Sequence, residues 1–122
     1  MKKVVLIAED DPKNMKLVRD LLQVKGYSIL KATNGKQSVE IAKEKKPDLI
    51  LMDILMPVMD GLKATKILKA DEATKEIPIM ALTSYTMFGD EHGILEAGCD
   101  GYMMKPIDTR EFLKRVDEYL SG

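Results

Sequence analysis

Apolar runs of four to seven residues alternate along this chain with amphipathic stretches of ten or more, and no other feature of the sequence restricts the fold as strongly. A strand covered on both faces reads as unbroken hydrophobicity, whereas a helix packed on one side reads as a stripe at helical spacing. Alternation of the two is the pattern of repeated βα units around a parallel sheet. Five units are expected. Strand one spans Val4–Ala8, and Pro12 suits the start of a helix lined by Met15, Val18, Leu21 and Leu22 and stopped by Gly26. Residues 27–32 form strand two. Asn34 and Gly35 mark a turn, and a short helix carrying Val39 and Ala42 ends in the lysine-rich stretch 43–46 before Pro47. Strand three is Leu49–Asp53, followed by a loop at 56–61, a helix with Leu62, Ile67 and Leu68 inside, and a polar connection at 71–76. Strand four covers 77–82, with Pro78 near its start where a missing N–H is tolerated. A fourth helix runs around 87–97, strand five is Gly101–Met104, and a last helix from Asp108 puts Phe112, Leu113, Val116, Tyr119 and Leu120 on one face.

Five parallel strands with right-handed crossovers give an α/β fold, a doubly wound, flavodoxin-like (βα)5 sandwich with strand order 2-1-3-4-5. With 122 residues, no repeat and no linker, residues 1–122 are expected to form one domain. Nineteen basic residues stand against 20 acidic ones, which leaves no field that calls for nucleic acid or an anionic membrane. Cys99 is the lone cysteine, no zinc-type spacing exists, and no apolar stretch approaches the length of a membrane span. The N-terminus has acids where a signal peptide would have a longer apolar region and a cleavage site. A cytoplasmic protein is expected.

In such sheets, sites form beyond the carboxyl ends of the strands, and the polar residues that interrupt the apolar runs fall there: Glu9, Asp10 and Asp11, then Asp53, then Thr83 and Ser84, then Lys105. Asp53 closes the apolar run LILMD, and a carboxylate in that setting costs several kcal/mol unless it is paired, hydrogen-bonded or metal-bound. Clustered carboxylates repel one another and any phosphate unless a divalent cation neutralises them. Mg²⁺ suits oxygen ligands and commonly bridges carboxylates to phosphate, so a magnesium is expected between Asp10 and Asp53. The Leu55 backbone carbonyl would complete the protein ligands, with Glu9 assisting through a water. Asp53 then stands as an oxygen nucleophile, Lys105 as a cation and Thr83 as a hydroxyl donor, a set that matches the needs of phosphoryl transfer to a carboxylate.

With Glu9-Asp10, the segment DILMPVMDG from Asp53, Thr83-Ser84, and Tyr102 before Lys105-Pro106, the chain resembles, end to end, a response-regulator receiver domain of two-component signalling. The separations of 30 residues from Asp53 to Thr83 and 22 from Thr83 to Lys105 carry the specificity. The AEDD and KPDLILMDI segments are similar to those of DivK-like single-domain regulators. The resemblance implies that Asp53 is phosphorylated by a sensor histidine kinase or a histidine phosphotransfer protein, with Mg²⁺ on Asp10, Asp53 and the Leu55 carbonyl. Lys105 would contact the phosphoryl group, Thr83 would turn towards it, Tyr102 would change rotamer, and the Lys105-Pro106 bond would be cis. Glu9 replaces the commoner Asp, and Ser84 stands where a small Ala or Gly is usual. The implied protein is a switch that assists only its own phosphorylation and dephosphorylation, with no output domain. It would regulate a downstream protein target or pass phosphate onward as a monomer or weak dimer. The interior glycines Gly89 and Gly93 mark helix four as the loosest helix.

Each residue also has a plainer reading. Asp10 and Asp53 could be helix caps or partners of Lys105, Thr83 a strand-end hydrogen bonder, and Tyr102 a half-buried packing residue. His92 reads as a surface residue, Cys99 as a small hydrophobe, and Met80, Met87, Met103 and Met104 as core fillers or an adaptable docking surface. A flavin mononucleotide carrier shares the architecture, but AEDDPKN offers acids where a flavin phosphate needs hydroxyls and glycines. A Mg²⁺-dependent phosphatase with an aspartyl-phosphate intermediate is the nearer alternative, and it would usually place an acid where Leu55 stands.

Overall fold

A computed structural model describes residues 2–84 and 90–121. Five parallel strands, β1 (Val4–Ala8), β2 (Ser28–Ala32), β3 (Leu49–Asp53), β4 (Ile79–Thr83) and β5 (Gly101–Met104), form one sheet in the order β2-β1-β3-β4-β5, as expected. The helices are α1 (Pro12–Val24), α2 (Gly35–Lys45), α3 (Gly61–Ala70), α4 (Asp90–Ala97) and α5 (Thr109–Leu120). Alternate side chains of the central strands feed two cores, one on each face. Leu6, Ile50, Met52, Ile79 and Ala81 pack with Val39, Ala42, Ala64, Leu68 and Ile94 of α2, α3 and α4. Val5, Ile7, Leu49, Leu51, Met80 and Leu82 pack with Val18, Leu22, Phe112 and Val116 of α1 and α5. Every residue of β3 and β4 is buried, which is why those strands read as continuous apolar runs.

The helix starts are set by side-chain caps. Asp11, Asn34, Asp60 and Asp108 each accept a backbone N–H of the first turn. This corrects the reading of Asn34 and Gly35 as a turn: Asn34 is the N-cap, Gly35 opens α2, and the Asn34 Oδ1 accepts from the Gln37 amide at 2.8 Å. A capping asparagine followed by glycine has the same local signature as a turn, so only the tertiary setting separates them. Strand two begins at Ser28, one residue late. Strand four begins at Ile79, because Ile77 still bonds back to Thr74 and ends the preceding turn. Met104 is exposed at the end of the edge strand and is not a core filler, unlike the buried Met80 and Met103. Met87 and Gly89 lie outside the described residues, and helix four is described from Asp90. The Lys105-Pro106 bond is cis.

Candidate functional site

Strand register brings the expected residues to one edge. Ala8 pairs with Met52, Asp53 with Leu82, and Thr83 with Met104, so the chain leaves β1, β3, β4 and β5 at nearly one level. Oxygen atoms of Glu9, Asp10 and Asp53 all lie within 4.8 Å of one another. Glu9 and Asp53 are buried while Asp10 faces solvent. Asp11, the third acid of the run, is not in this group; its carboxylate caps α1.

Lys105 is the cation inside the cluster. Its Nζ donates to Glu9 Oε1 at 2.6 Å and stands 3.4 Å from Asp53 Oδ1. Glu9 Oε2 accepts the Asp11 amide at 3.2 Å, so both Glu9 oxygens are engaged and its backbone is tied to Ala32 on β2. Burial first, and the adjacent Glu9 carboxylate second, lift the Asp53 pKa to about 7 against the pull of Lys105. Burial depresses the Lys105 ammonium, but the Glu9 and Asp53 carboxylates outweigh it and hold that pKa above the usual lysine value. One ammonium among three carboxylates leaves an excess of negative charge. All-oxygen donors, two of them buried, suit a hard divalent cation such as Mg²⁺, so the donor set fits the expected metal.

Thr83 ends β4, buried, one residue beyond the partner of Asp53. It lies two residues after Ala81, which pairs with Tyr102, so Thr83 and Tyr102 share the sheet face that looks to α3 and α4. Tyr102 is half-buried against that core. Leu55 follows in the β3–α3 connection and is 64% exposed. Ser84 is exposed beyond Thr83. His92 is exposed, its Nε2 3.5 Å from a Glu96 carboxylate oxygen; Cys99 is buried, and burial pushes its thiol pKa up. Sequence reasoning missed the tight Lys105–Glu9 pair, for which a lysine and an acid 96 positions apart give no local signal. It also missed a cavity of about 490 Å³ beside the cluster, where Pro12, Met15, Lys16 and Arg19 of α1 face Thr33 beyond β2.

The model of the response regulator receiver domain matches residues 5–117. The chain belongs to the response-regulator receiver domain family. It is 44% identical over 120 residues, 98% of each chain, to the polar-differentiation response regulator DivK of Brucella anthropi, and equally to that of Brucella ovis. Among solved structures, it is similar to the receiver domain of the sensor histidine kinase PA1611 from Pseudomonas aeruginosa, at a TM-score of 0.93 and 32% identity over 100% of both chains. That structure holds a magnesium ion coordinated in its active site cleft. The chemotaxis protein CheY4 of Vibrio cholerae superposes at a TM-score of 0.90 with 27% identity, over 98% of this chain and 99% of that one. The protein is therefore a receiver domain of two-component signalling, a signalling module and not a classical enzyme, with an acidic cluster suited to Mg²⁺. Among the described residues, no helix is long and apolar enough to cross a membrane.

Proposed function

We propose that the protein is a phosphorylation-activated switch in which Asp53 accepts a phosphoryl group from a histidine kinase or a histidine phosphotransfer protein. The observation that carries this reading is the charge imbalance at Asp53: a buried carboxylate with a raised pKa, one lysine, and two further acids within 4.8 Å. Asp10, Asp53 and the Leu55 carbonyl would hold Mg²⁺, with Glu9 assisting; the ion in the cleft of the related PA1611 receiver supports this. When bound, the metal neutralises the acids and draws charge from the phosphoryl oxygens.

The chain's own groups then have defined tasks. An Asp53 oxygen attacks phosphorus in line, the bond to the donor imidazole nitrogen breaks, and an acyl phosphate remains on Asp53. Lys105, already 3.4 Å from Asp53 and held by Glu9, offers its N–H donors to the incoming phosphoryl oxygens. The group adds about −1.5 to −2 charges, enough to draw the Thr83 hydroxyl inward. Tyr102, on the same face and half-buried, follows into the space that Thr83 leaves. Its neighbours line a groove of about 410 Å³ with Leu95 of α4 and Glu111 and Arg115 of α5, an output surface for a protein partner. Gly93 supports a loosened α4, because a Cβ there would meet nothing within 4 Å among the described residues. The receiver acts through this surface or by passing phosphate onward, in the cytoplasm and without direct nucleic-acid contact. A phosphatase reading is disfavoured by Leu55, whose position would need a carboxylic acid.

Incubation with acetyl phosphate and Mg²⁺ is expected to add one acid-labile phosphoryl group, seen by intact mass, that Asp53→Asn abolishes without loss of the fold. Label retained in that variant would move the acceptor elsewhere. Beryllofluoride is expected to change hydrogen exchange most in α4 and its flanks; equal protection across all five helices would remove the proposed switch.

A further inference from the structure

The connection from Asp53 to α3 is held in a shape that its own residues do not favour. Val58 has a φ of 70°, and the Met59 amide donates to the Pro57 carbonyl at 2.7 Å, a γ-turn with a left-handed central residue. That turn is rare and strained, and a β-branched residue is a poor occupant of it. Val58 is 78% exposed, so no burial of its own compensates. Strain of this kind persists only where the surroundings over-determine the conformation.

The surroundings are two glycines at helix starts. Gly61 opens α3, donates to the Ile54 carbonyl at 2.9 Å, and has the Asp53 carbonyl oxygen 2.1 Å from where a Cβ would stand. Gly35 opens α2, on a different part of the chain. Its amide donates to the Met59 carbonyl at 2.8 Å, and a Cβ there would lie 2.3 Å from that same oxygen and 3.0 Å from the Asp60 oxygen. Gly35 shows no positive φ, and alanine is the better helix former, so the demand for glycine comes from the approaching carbonyl alone. Gly35 thus clamps the far side of the γ-turn, while Gly61 clamps the near side.

We propose that Gly35 is a positioning residue for the candidate metal site: its bare Cα and its amide lock the Met59 carbonyl, and through the γ-turn at Val58 they fix the path of the chain from Asp53 through Leu55. This deepens the reading of Asp10, Asp53 and the Leu55 carbonyl as Mg²⁺ ligands and rests on it. A methyl group at position 35 has to displace Met59, and the strained turn hands that displacement to Leu55. Glycine at 58 has wider φ freedom and absorbs it locally.

Isothermal titration with MgCl₂ tests this on wild type, Gly35→Ala, Val58→Gly and the double variant. Gly35→Ala is expected to weaken Mg²⁺ binding on the order of 10–100-fold, as loss of an outer support of a metal site does. Val58→Gly in the same chain is expected to recover most of that loss. A Gly35→Ala affinity equal to wild type, or a loss that Val58→Gly leaves untouched, overturns the proposal. Should Gly35→Ala not fold, an amide NMR titration of the wild type decides: the Gly35 amide is expected to shift along the same Mg²⁺ isotherm as Ile54 and Leu55, and a stationary Gly35 amide overturns the proposal. Absence of Mg²⁺ binding by the wild type would remove the metal reading and this one together, whereas wild-type binding with an indifferent Gly35→Ala removes only this one.

Discussion

Two lysines at opposite ends of the sheet meet carboxylates in opposite ways. At the amino-terminal edge, Lys69 of α3 donates to the Lys75 carbonyl at 3.2 Å, the Ile77 carbonyl at 2.8 Å and Asp100 Oδ2 at 3.0 Å. Asp100 also accepts the Ile79 amide at 2.8 Å. One cation, one anion and two carbonyls close on themselves, and they join α3, the turn before β4 and the entry to β5. At the carboxyl-terminal edge, Lys105 faces Glu9 and Asp53 with Asp10 close by. That group is hydrogen-bonded but not charge-balanced. Among the described residues no buried side-chain nitrogen or oxygen lacks a partner, so hydrogen bonding does not separate the two sites. Net charge does: the balanced cluster is a rivet, and the unbalanced one keeps an excess of negative charge that suits a divalent cation.

The strongest perturbation is at Lys69. Lys69→Met is expected to lower unfolding free energy on the order of 3 kcal/mol, because it removes the donor of two carbonyls and the cation beside Asp100, which keeps only the Ile79 amide. Urea titration beside an exposed control, Lys66→Met, measures it; equal effects would show that Lys69 has no special role. Next comes the unbalanced cluster, where Mg²⁺ at about 100 times its Kd should raise stability by about 2.7 kcal/mol. Its pH dependence has a definite sign. The Asp53 pKa is raised in the fold to about 7, so the apo protein gains from a proton there at low pH and loses that gain as pH rises through about 7. Mg²⁺ needs the carboxylate, so its affinity should climb over the same interval. Thermal melts from pH 5 to 8 (about this range, set by the reference carboxylate and the raised value) with and without Mg²⁺ check both trends, and Asp53→Asn should flatten them.

A smaller effect sits at the α1–α5 seam, where the Tyr27 hydroxyl donates to Asp117, which also pairs with Lys25 at 3.1 Å. Tyr27→Phe should cost about 1 kcal/mol or less, given the partial exposure. Burial, then Asp117, raises the Tyr27 pKa to about 12, so its contribution is lost as pH rises from the ordinary tyrosine value towards about 12. Hydrogen bonding from Tyr27 lowers the Asp117 pKa, so that contribution fades only as pH falls through its depressed value. Alkaline and acid melts of the wild type and Tyr27→Phe set this seam against Asp53, whose shift runs opposite to that of Asp117. Smallest of all, Lys43→Ala breaks a surface pair with Asp71 and should leave the melting temperature unchanged.

Legibility followed range of interaction. The five βα units, Pro12 as a helix start and the polar residues at the strand ends could be read because each depends on neighbours in sequence. Asn34 and Gly35 read as a turn from sequence because cap and turn share local chemistry, and Ile77 reads as strand because an apolar residue beside a strand looks like part of it. Asp11 reads as one of the site acids although it caps α1, and of the two readings of Met104, core filler or docking surface, its exposure at the end of an edge strand excludes the first.

The amino-acid order alone determined the sheet class and which groups stand at its carboxyl edge, since hydrophobic period and strand ends are local properties. Only the tertiary structure decided that Lys105 binds Glu9 more closely than Asp53, that burial and Glu9 push the Asp53 pKa up, and that a Cβ at Gly35 would meet the Met59 carbonyl. Each of those rests on a distance between residues far apart in the chain, and such distances exist only once packed strands and helices bring them together.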